Sequence, residues 1–234
     1  MRRPPRVIFV LVALNLLMGA LAVGNYVVAS ALGVERTTFF RLGMESNLPS
    51  WYSASQLLLV AGLFGLIAWR DVKWRSPRTW AAATPALFFL LLSLDEGGMV
   101  HERIGWWVEA QSGLGEDLLT GPWLLLAVPF YAVLSVLVFR AMVPYLRGRP
   151  LVVRLGLAGG ALFVIAAAGF EGLGNFTDPD DPFARQVLGV FEEVGEMMAA
   201  TLFVWCALEL IRAEGFHLVM RSGPTEAEPE APGA

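Results

Sequence analysis

Three acid-rich segments stand at the ends of apolar stretches and hold the side chains best able to do chemistry. They read SLDEGGMVHERIG (93–105), GFEGLGNFTDPDD (169–181) and GVFEEVGEMMAA (189–200). Together they supply carboxylates, one imidazole and one amide, which are side chains that bind divalent cations. The candidate metal ligands are Asp95, Glu96, His101, Glu102, Glu171, Asn175, Glu192, Glu193 and Glu196.

Spacing along the chain indicates that the three segments share one depth. Arg78 precedes Asp95 by 17 residues, and Arg154 precedes Glu171 by 17 residues. At 1.5 Å per residue, both carboxylates lie about 25 Å above the basic boundary of an apolar layer about 30 Å thick. A similar count places Glu196 at the same height. A shared depth is what a common binding site on three helices requires.

So many carboxylates at the edge of a low-dielectric layer need compensation, either by protons or by bound cations. The predicted cofactor is therefore a divalent metal ion of the Fe, Mn, Zn, Mg or Ca type. Di-iron and di-manganese bundles use two Glu-x-x-His units. This sequence offers one histidine at a different spacing, together with Glu193-x-x-Glu196. The alternative is that these residues only cap helices and meet water, as Glu102 would at the interface.

Long apolar blocks must position these residues, because 56% of the chain is hydrophobic and only 16% is charged. Each block is long enough for a bilayer-spanning helix, and the residue alternation of a membrane barrel strand is missing. The sequence predicts an all-α, polytopic transmembrane helix bundle in the cell membrane, with the lipid bilayer as its partner. The net charge of −4 argues against nucleic acid as a partner. The predicted spans are about 7–31, 51–69, 80–104, 121–143, 153–175 and 186–211.

Basic residues set the predicted orientation. Thirteen of the 17 lysines and arginines fall on one side of the six spans. The positive-inside rule places that side, and with it both termini, in the cytoplasm. The tail 222–234, rich in proline and glutamate, is predicted to be disordered there. The first span imitates a signal peptide, but its length and two asparagines, Asn15 and Asn25, favour a retained helix that faces the bundle.

Small residues predict which helices pack closely. Gly156 and Gly160 form a GxxxG pair, so we expect the fifth span to be central and to touch the third and sixth at the acid-rich end. The pair Gly97-Gly98 is able to break the third helix beyond Glu96. Glu209, near the opposite end of the last span, is expected to reach toward water.

The segments LSLDEGGMVHE and FEEVGEM resemble an uncharacterised group of bacterial multi-pass membrane proteins that carry an SLDE…HE segment. The resemblance covers spans three to six, and it implies a polytopic helical fold without implying an activity. The Glu192-Glu193 pair is also similar to the motif of CAAX-type membrane proteases. Those proteases need further histidines in later helices, whereas this chain has only His101 and His217.

The first functional hypothesis is a membrane protein that binds a metal ion. In its catalytic form, this hypothesis makes the protein a metalloenzyme that acts on a lipid-soluble or outer-face small molecule. The alternatives are a transporter of divalent cations or protons, and a membrane scaffold without chemistry. Transport needs a polar path through both halves of the membrane. The run AAATPALFFLLL of the third span is apolar in the half away from the carboxylates. That favours a binding site open to the outside.

Overall fold

The computed structural model describes residues 3–42, 47–73, 75–76, 78–115, 117–118, 121–178 and 181–215. The predicted disordered tail 222–234 lies outside these residues. Every regular element among them is helical, which confirms the all-α prediction. The helices are α1 (Arg6–Leu32), α2 (Leu48–Lys73), α3 (Thr79–Gly98), α4 (Val100–Ser112), α5 (Trp123–Leu146), α6 (Pro150–Val164), α7 (Glu171–Gly174) and α8 (Pro182–Ala213), with a 3₁₀ turn at Thr38–Phe40 and a π-helical segment at Ile165–Phe170.

The lengths and apolar surfaces of these helices suit a bilayer. Among the described residues, five helices can cross a membrane: α1, α2, α5, α8 and the continuous helix Pro150–Gly174, which we call span five. A sixth crossing results if α3 and α4 form one broken span. On α5, Phe130, Val133 and Phe139 are about half exposed. An exposed apolar surface of that kind suits a lipid environment.

The helix predicted over 80–104 is broken rather than continuous. α3 and α4 meet at an angle of 63°. The break lies at Met99, which has a left-handed backbone with φ of 53° and donates its N–H to the carbonyl of Asp95. The expectation that Gly97-Gly98 could end the helix was therefore close, but both glycines stay helical and the turn falls on the next residue.

α8, rather than span five, is the centre of the bundle, because it packs against α1, α2 and span five. Two glycines allow α8 and span five to pack tightly. A Cβ on Gly159 would lie 3.0 Å from the Phe203 ring, and a Cβ on Gly195 would lie 2.8 Å from the Cβ of Ala166. Gly160 has no such neighbour, whereas a Cβ on Gly156 would lie 3.8 Å from the Cys206 sulfur, so only one residue of the predicted GxxxG pair faces α8.

At the end of the bundle remote from the acid-rich segments, Glu214 joins three arginines; we call this the arginine end. Its carboxylate accepts hydrogen bonds from Arg70 at 2.9 Å, from both terminal nitrogens of Arg78, and from Arg149. Burial alone would raise the pKa of Glu214, but the hydrogen bonds from these arginines outweigh it and hold the pKa below its usual value. Glu214, just after α8, is thus hydrogen-bonded to α2 and to the loops that carry Arg78 and Arg149.

Two further carboxylates are buried near the arginine end. Asp71 accepts from Arg70 at 2.8 Å and from the Tyr145 hydroxyl, which links α2 to α5. Glu209 is 5% exposed and accepts from Trp205 and Arg212. The expectation that Glu209 reaches water is therefore wrong, because side chains of its own helix satisfy it inside the bundle.

A polar network crosses the middle of the bundle between α1, α2 and α8. Asn15, which is fully buried, donates to Thr201 at 3.0 Å and accepts from Tyr52 at 2.8 Å and Gln56 at 2.9 Å. Hydrogen bonds of this kind hold membrane helices together where lipid supplies no hydrophobic drive. The sequence-based placement of Asn15 inside the bundle is confirmed. Asn25 instead binds the backbone of Thr37.

Candidate functional site

The acid-rich segments meet in one cavity of about 540 Å³ between α3, α4, α5, span five and α8. A volume of this size is ordinary for a small-molecule site. Of the nine predicted ligands, eight line the cavity, while Asn175 does not and donates instead to the carbonyl of Gly172. We call this the carboxylate end. Its polar lining residues are Asp95, Glu96, His101, Glu102, Tyr131, Glu171, Arg185, Glu192, Glu193 and Glu196.

Asp95 is the residue around which the α3–α4 bend is built. Its Oδ1 accepts the backbone N–H of His101 at 2.8 Å, so it caps the first turn of α4 from the preceding helix. Its Oδ2 accepts the hydroxyl of Tyr131, from α5, at 2.6 Å. Because Asp95 is only 6% exposed, these two hydrogen bonds replace those that water would otherwise donate to its carboxylate.

His101 is held between Asp95 and an indole. Its Nδ1 lies 3.0 Å from Oδ2 of Asp95, although the contact lacks the alignment of a hydrogen bond. The ring centroid is 4.5 Å from that of Trp123. Gly105 lets Trp123 approach, since a Cβ at that position would lie 2.9 Å from the Cβ of Trp123. A carboxylate beside one imidazole nitrogen orients the ring, as in metal-bound and catalytic histidines.

Span five and α8 bring the glutamates together. Glu171 accepts the indole N–H of Trp123 at 2.7 Å, and its carboxyl group interacts with that of Glu192. Glu196 interacts electrostatically with Glu96 and Glu193, besides Glu192 and Glu171. Two carboxyl groups can be hydrogen-bonded only through a proton. Two interacting carboxyl groups such as Glu171 and Glu192 are favoured when a proton, or a cation in its place, lies between them.

Away from the carboxylates the cavity becomes apolar along one wall of α5 and the facing side of span five. We call this part the apolar limb. Ser135 is its only hydroxyl among the described residues that line it. The residues of the limb are Phe88, Leu92, Ala132, Ser135, Gly160, Phe163 and Phe203.

Two contributors to the site could not be singled out from the sequence. Tyr131 is a lone tyrosine in an apolar run, and nothing in its spacing indicates a partner 36 residues away. Trp123 marks the end of a span, where tryptophan is common for reasons of membrane anchoring. Only the fold shows that each donates to a buried carboxylate.

Within the residues that the structure describes, no three His, Cys, Asp or Glu side chains already stand at the mutual spacing of metal ligands. Asp95 already accepts two hydrogen bonds, and Glu171 accepts one from the indole. The ligand chemistry suits a hard divalent ion, but holding one would require the glutamate side chains to reorient around it.

Comparison with known proteins adds a family and no activity. Residues 6–211 match the profile of a domain of unknown function, DUF8692. The chain belongs to the DUF8692 family. No curated protein and no solved structure matches it. The match spans all the helices up to the last turn of α8, so the DUF8692 domain includes the cavity.

Proposed function

We propose that this DUF8692 protein is a membrane protein that binds a divalent metal ion at the carboxylate end of its cavity. One observation carries the proposal. Seven carboxyl groups and one imidazole converge on the cavity, and the described lining residues include one arginine, Arg185. Their mutual repulsion in a poorly solvated site must be offset, and a divalent cation does so most directly.

Glu171, Glu192 and Glu196 are the first candidates for ligands. Glu171 and Glu192 are already in contact, and Glu196 lies one helical turn from Glu192 on α8. Oxygen ligands of this type suit Mn, Fe, Mg or Ca, and His101 would add the nitrogen donor that Zn prefers. The indole N–H of Trp123 would orient Glu171 from outside the ligand set.

A catalytic form of the proposal uses the same residues. A bound divalent ion would supply Lewis acidity to an oxygen of a lipid-soluble or outer-face substrate. His101, oriented by Asp95, or a glutamate outside the ligand set would take up or release a proton. Transport is favoured less, because the described walls of the cavity end among Phe88, Phe163 and Phe203 rather than in a polar path.

Metal content and thermal stability test the proposal on protein purified in detergent. Elemental analysis should find a divalent metal, a chelator should lower the melting temperature, and the right metal should restore it, since a ligand of the folded state raises stability. Glu171→Gln and Glu196→Gln should abolish the response. Glu35→Gln, at an exposed position outside the cavity, is the matched control.

The proposal would be rejected if the purified protein contained no metal and its melting temperature did not change with chelator or with any added divalent ion. Stable Glu171→Gln and Glu196→Gln variants would point the same way, because relief of repulsion is then the only effect of the substitution. A scaffold role would become the better interpretation.

A further inference from the structure

The apolar limb makes the cavity long and gives it one charged end and one apolar end. Trp123 and Ser135 both line it and are 12 residues apart on α5, which at 1.5 Å per residue is about 18 Å. On α8, Glu192 and Phe203 line it 11 residues apart, or about 16 Å. The cavity therefore runs roughly halfway through the apolar layer, with charge at one end only.

The cavity reaches the lipid-facing surface between α5 and span five. Val128 on α5 and Val164 on span five line the cavity and are also 39% and 62% exposed. α5 packs mainly on α3 and touches α6 only sparsely. A hydrocarbon chain in the surrounding bilayer can thus enter sideways without crossing a polar surface.

We propose that the cavity binds an amphiphilic cation: one hydrocarbon chain in the apolar limb, ending in an ammonium group at the carboxylate end. Charge complementarity selects this occupant, because the lining has seven carboxyl groups against one arginine, and Glu171, Glu192 and Glu196 offer acceptors for an ammonium rather than donors for an anionic head group. The aromatic faces of Trp123 and Tyr131 in the same lining suit a cation as well.

This inference goes beyond the proposed metal site and does not need it, since the ammonium itself offsets the carboxylates. Metal and amine would compete for the same glutamates. The two can therefore be measured separately: the amine in the presence of chelator, and the metal in the absence of amine.

Binding of dodecylamine and of dodecanol to protein in maltoside micelles tests the inference, with chelator present and native mass spectrometry as the readout. The two probes share a chain and differ in the head group. Wild-type protein should retain dodecylamine, and dodecanol should bind about tenfold more weakly because it lacks the charge-assisted hydrogen bonds. Glu196→Gln should reduce the preference for the amine.

Gly160→Leu fills the limb, because a side chain at Gly160 meets no atom within 4 Å and projects into the lining. It should abolish dodecylamine binding. Gly62→Leu is the matched control, since Gly62 is equally open but lies on the exposed face of α2. Ser135→Phe obstructs the limb from the opposite wall and replaces Gly160→Leu if that variant does not fold.

Equal binding of amine and alcohol, or undiminished amine binding by both limb variants, overturns the inference. Metal binding by Gly160→Leu in amine-free buffer separates the two proposals. A variant that binds metal but not dodecylamine supports both, whereas wild-type protein that binds dodecylamine but no metal supports the amphiphile and rejects the metal.

Discussion

At the scale of single residues, Asp95 and Glu171, the two carboxylates at the carboxylate end that accept from aromatic side chains, have different tasks. Asp95 accepts from the His101 amide and the Tyr131 hydroxyl and lies beside the imidazole, so its main task is to position these neighbours. Glu171 has one donor, Trp123, and otherwise faces another carboxyl group. The chemistry of the site therefore belongs to the glutamates, with Asp95 as their support.

Replacing Asp95 by asparagine should destabilise the protein. The amide has one acceptor oxygen, so either the His101 N–H or the Tyr131 hydroxyl loses its partner, at a cost of about 1–3 kcal/mol. Tyr131→Phe removes one donor only and should cost about 0.5–1.5 kcal/mol. Chemical unfolding in detergent of both single variants and the double variant measures the coupling, and fully additive losses would contradict the shared hydrogen bond.

At the scale of elements, helix packing was harder to predict than helix position. Hydropathy located the apolar blocks, because a span must be long and apolar whatever it touches. The GxxxG pattern pointed to Gly156 and Gly160. Gly156 does face α8, but the tight contact uses Gly159, and Gly160 meets no atom of α8. When a helix carries small residues on more than one face, its sequence alone does not show which face packs against a neighbouring helix.

Gly159→Ala and Gly160→Ala should change the stability of the protein in opposite directions. At Gly159 the new methyl meets the Phe203 ring, and overpacking of that kind costs about 1–3 kcal/mol. At Gly160 the methyl enters open cavity space, and alanine stabilises a helix by about 0.5–1 kcal/mol relative to glycine. Melting temperatures in the same detergent check this, and a destabilised Gly160→Ala beside a neutral Gly159→Ala would restore the GxxxG interpretation.

The candidate site was predictable in part, for a physical reason. Carboxylates inside an apolar helix are costly, so their presence and common depth indicate a site from sequence alone. Tyr131, Trp123 and the bend at Met99 were not predictable, because each owes its role to a residue on another element or to a backbone angle. Met99 is neither glycine nor proline, and its left-handed conformation has no sequence signal.

At the scale of the whole molecule, charge is segregated between the two ends of the bundle. The carboxylate end gathers seven carboxyl groups, and the arginine end gathers Arg70, Arg78 and Arg149 around Glu214. This separation agrees with helices that alternate in direction across a bilayer. The cytoplasmic placement of the arginine end, with both termini, stays a prediction from the positive-inside rule.

Glu214→Gln should weaken the arginine end and change its pH dependence. A carboxylate whose pKa is lowered on folding stabilises the protein fully above its unfolded pKa of about 4.3, and that contribution is lost as the pH falls through the lower folded pKa. The difference in unfolding free energy between wild type and Glu214→Gln should therefore shrink as the pH falls below about 4.3. Glu35→Gln is the control, and a difference independent of pH would contradict the ionic role.

The sparse contact between α5 and span five has a mechanical consequence. The two helices form a hairpin joined by residues 147–149 at the arginine end, and they stand apart toward the carboxylate end. Acyl chains press on the outer faces of both arms, so lateral pressure in the membrane acts to close the hairpin. We expect the width of the cavity mouth to follow the tension and thickness of the surrounding bilayer, which would make its occupancy a property of the membrane as well as of the protein.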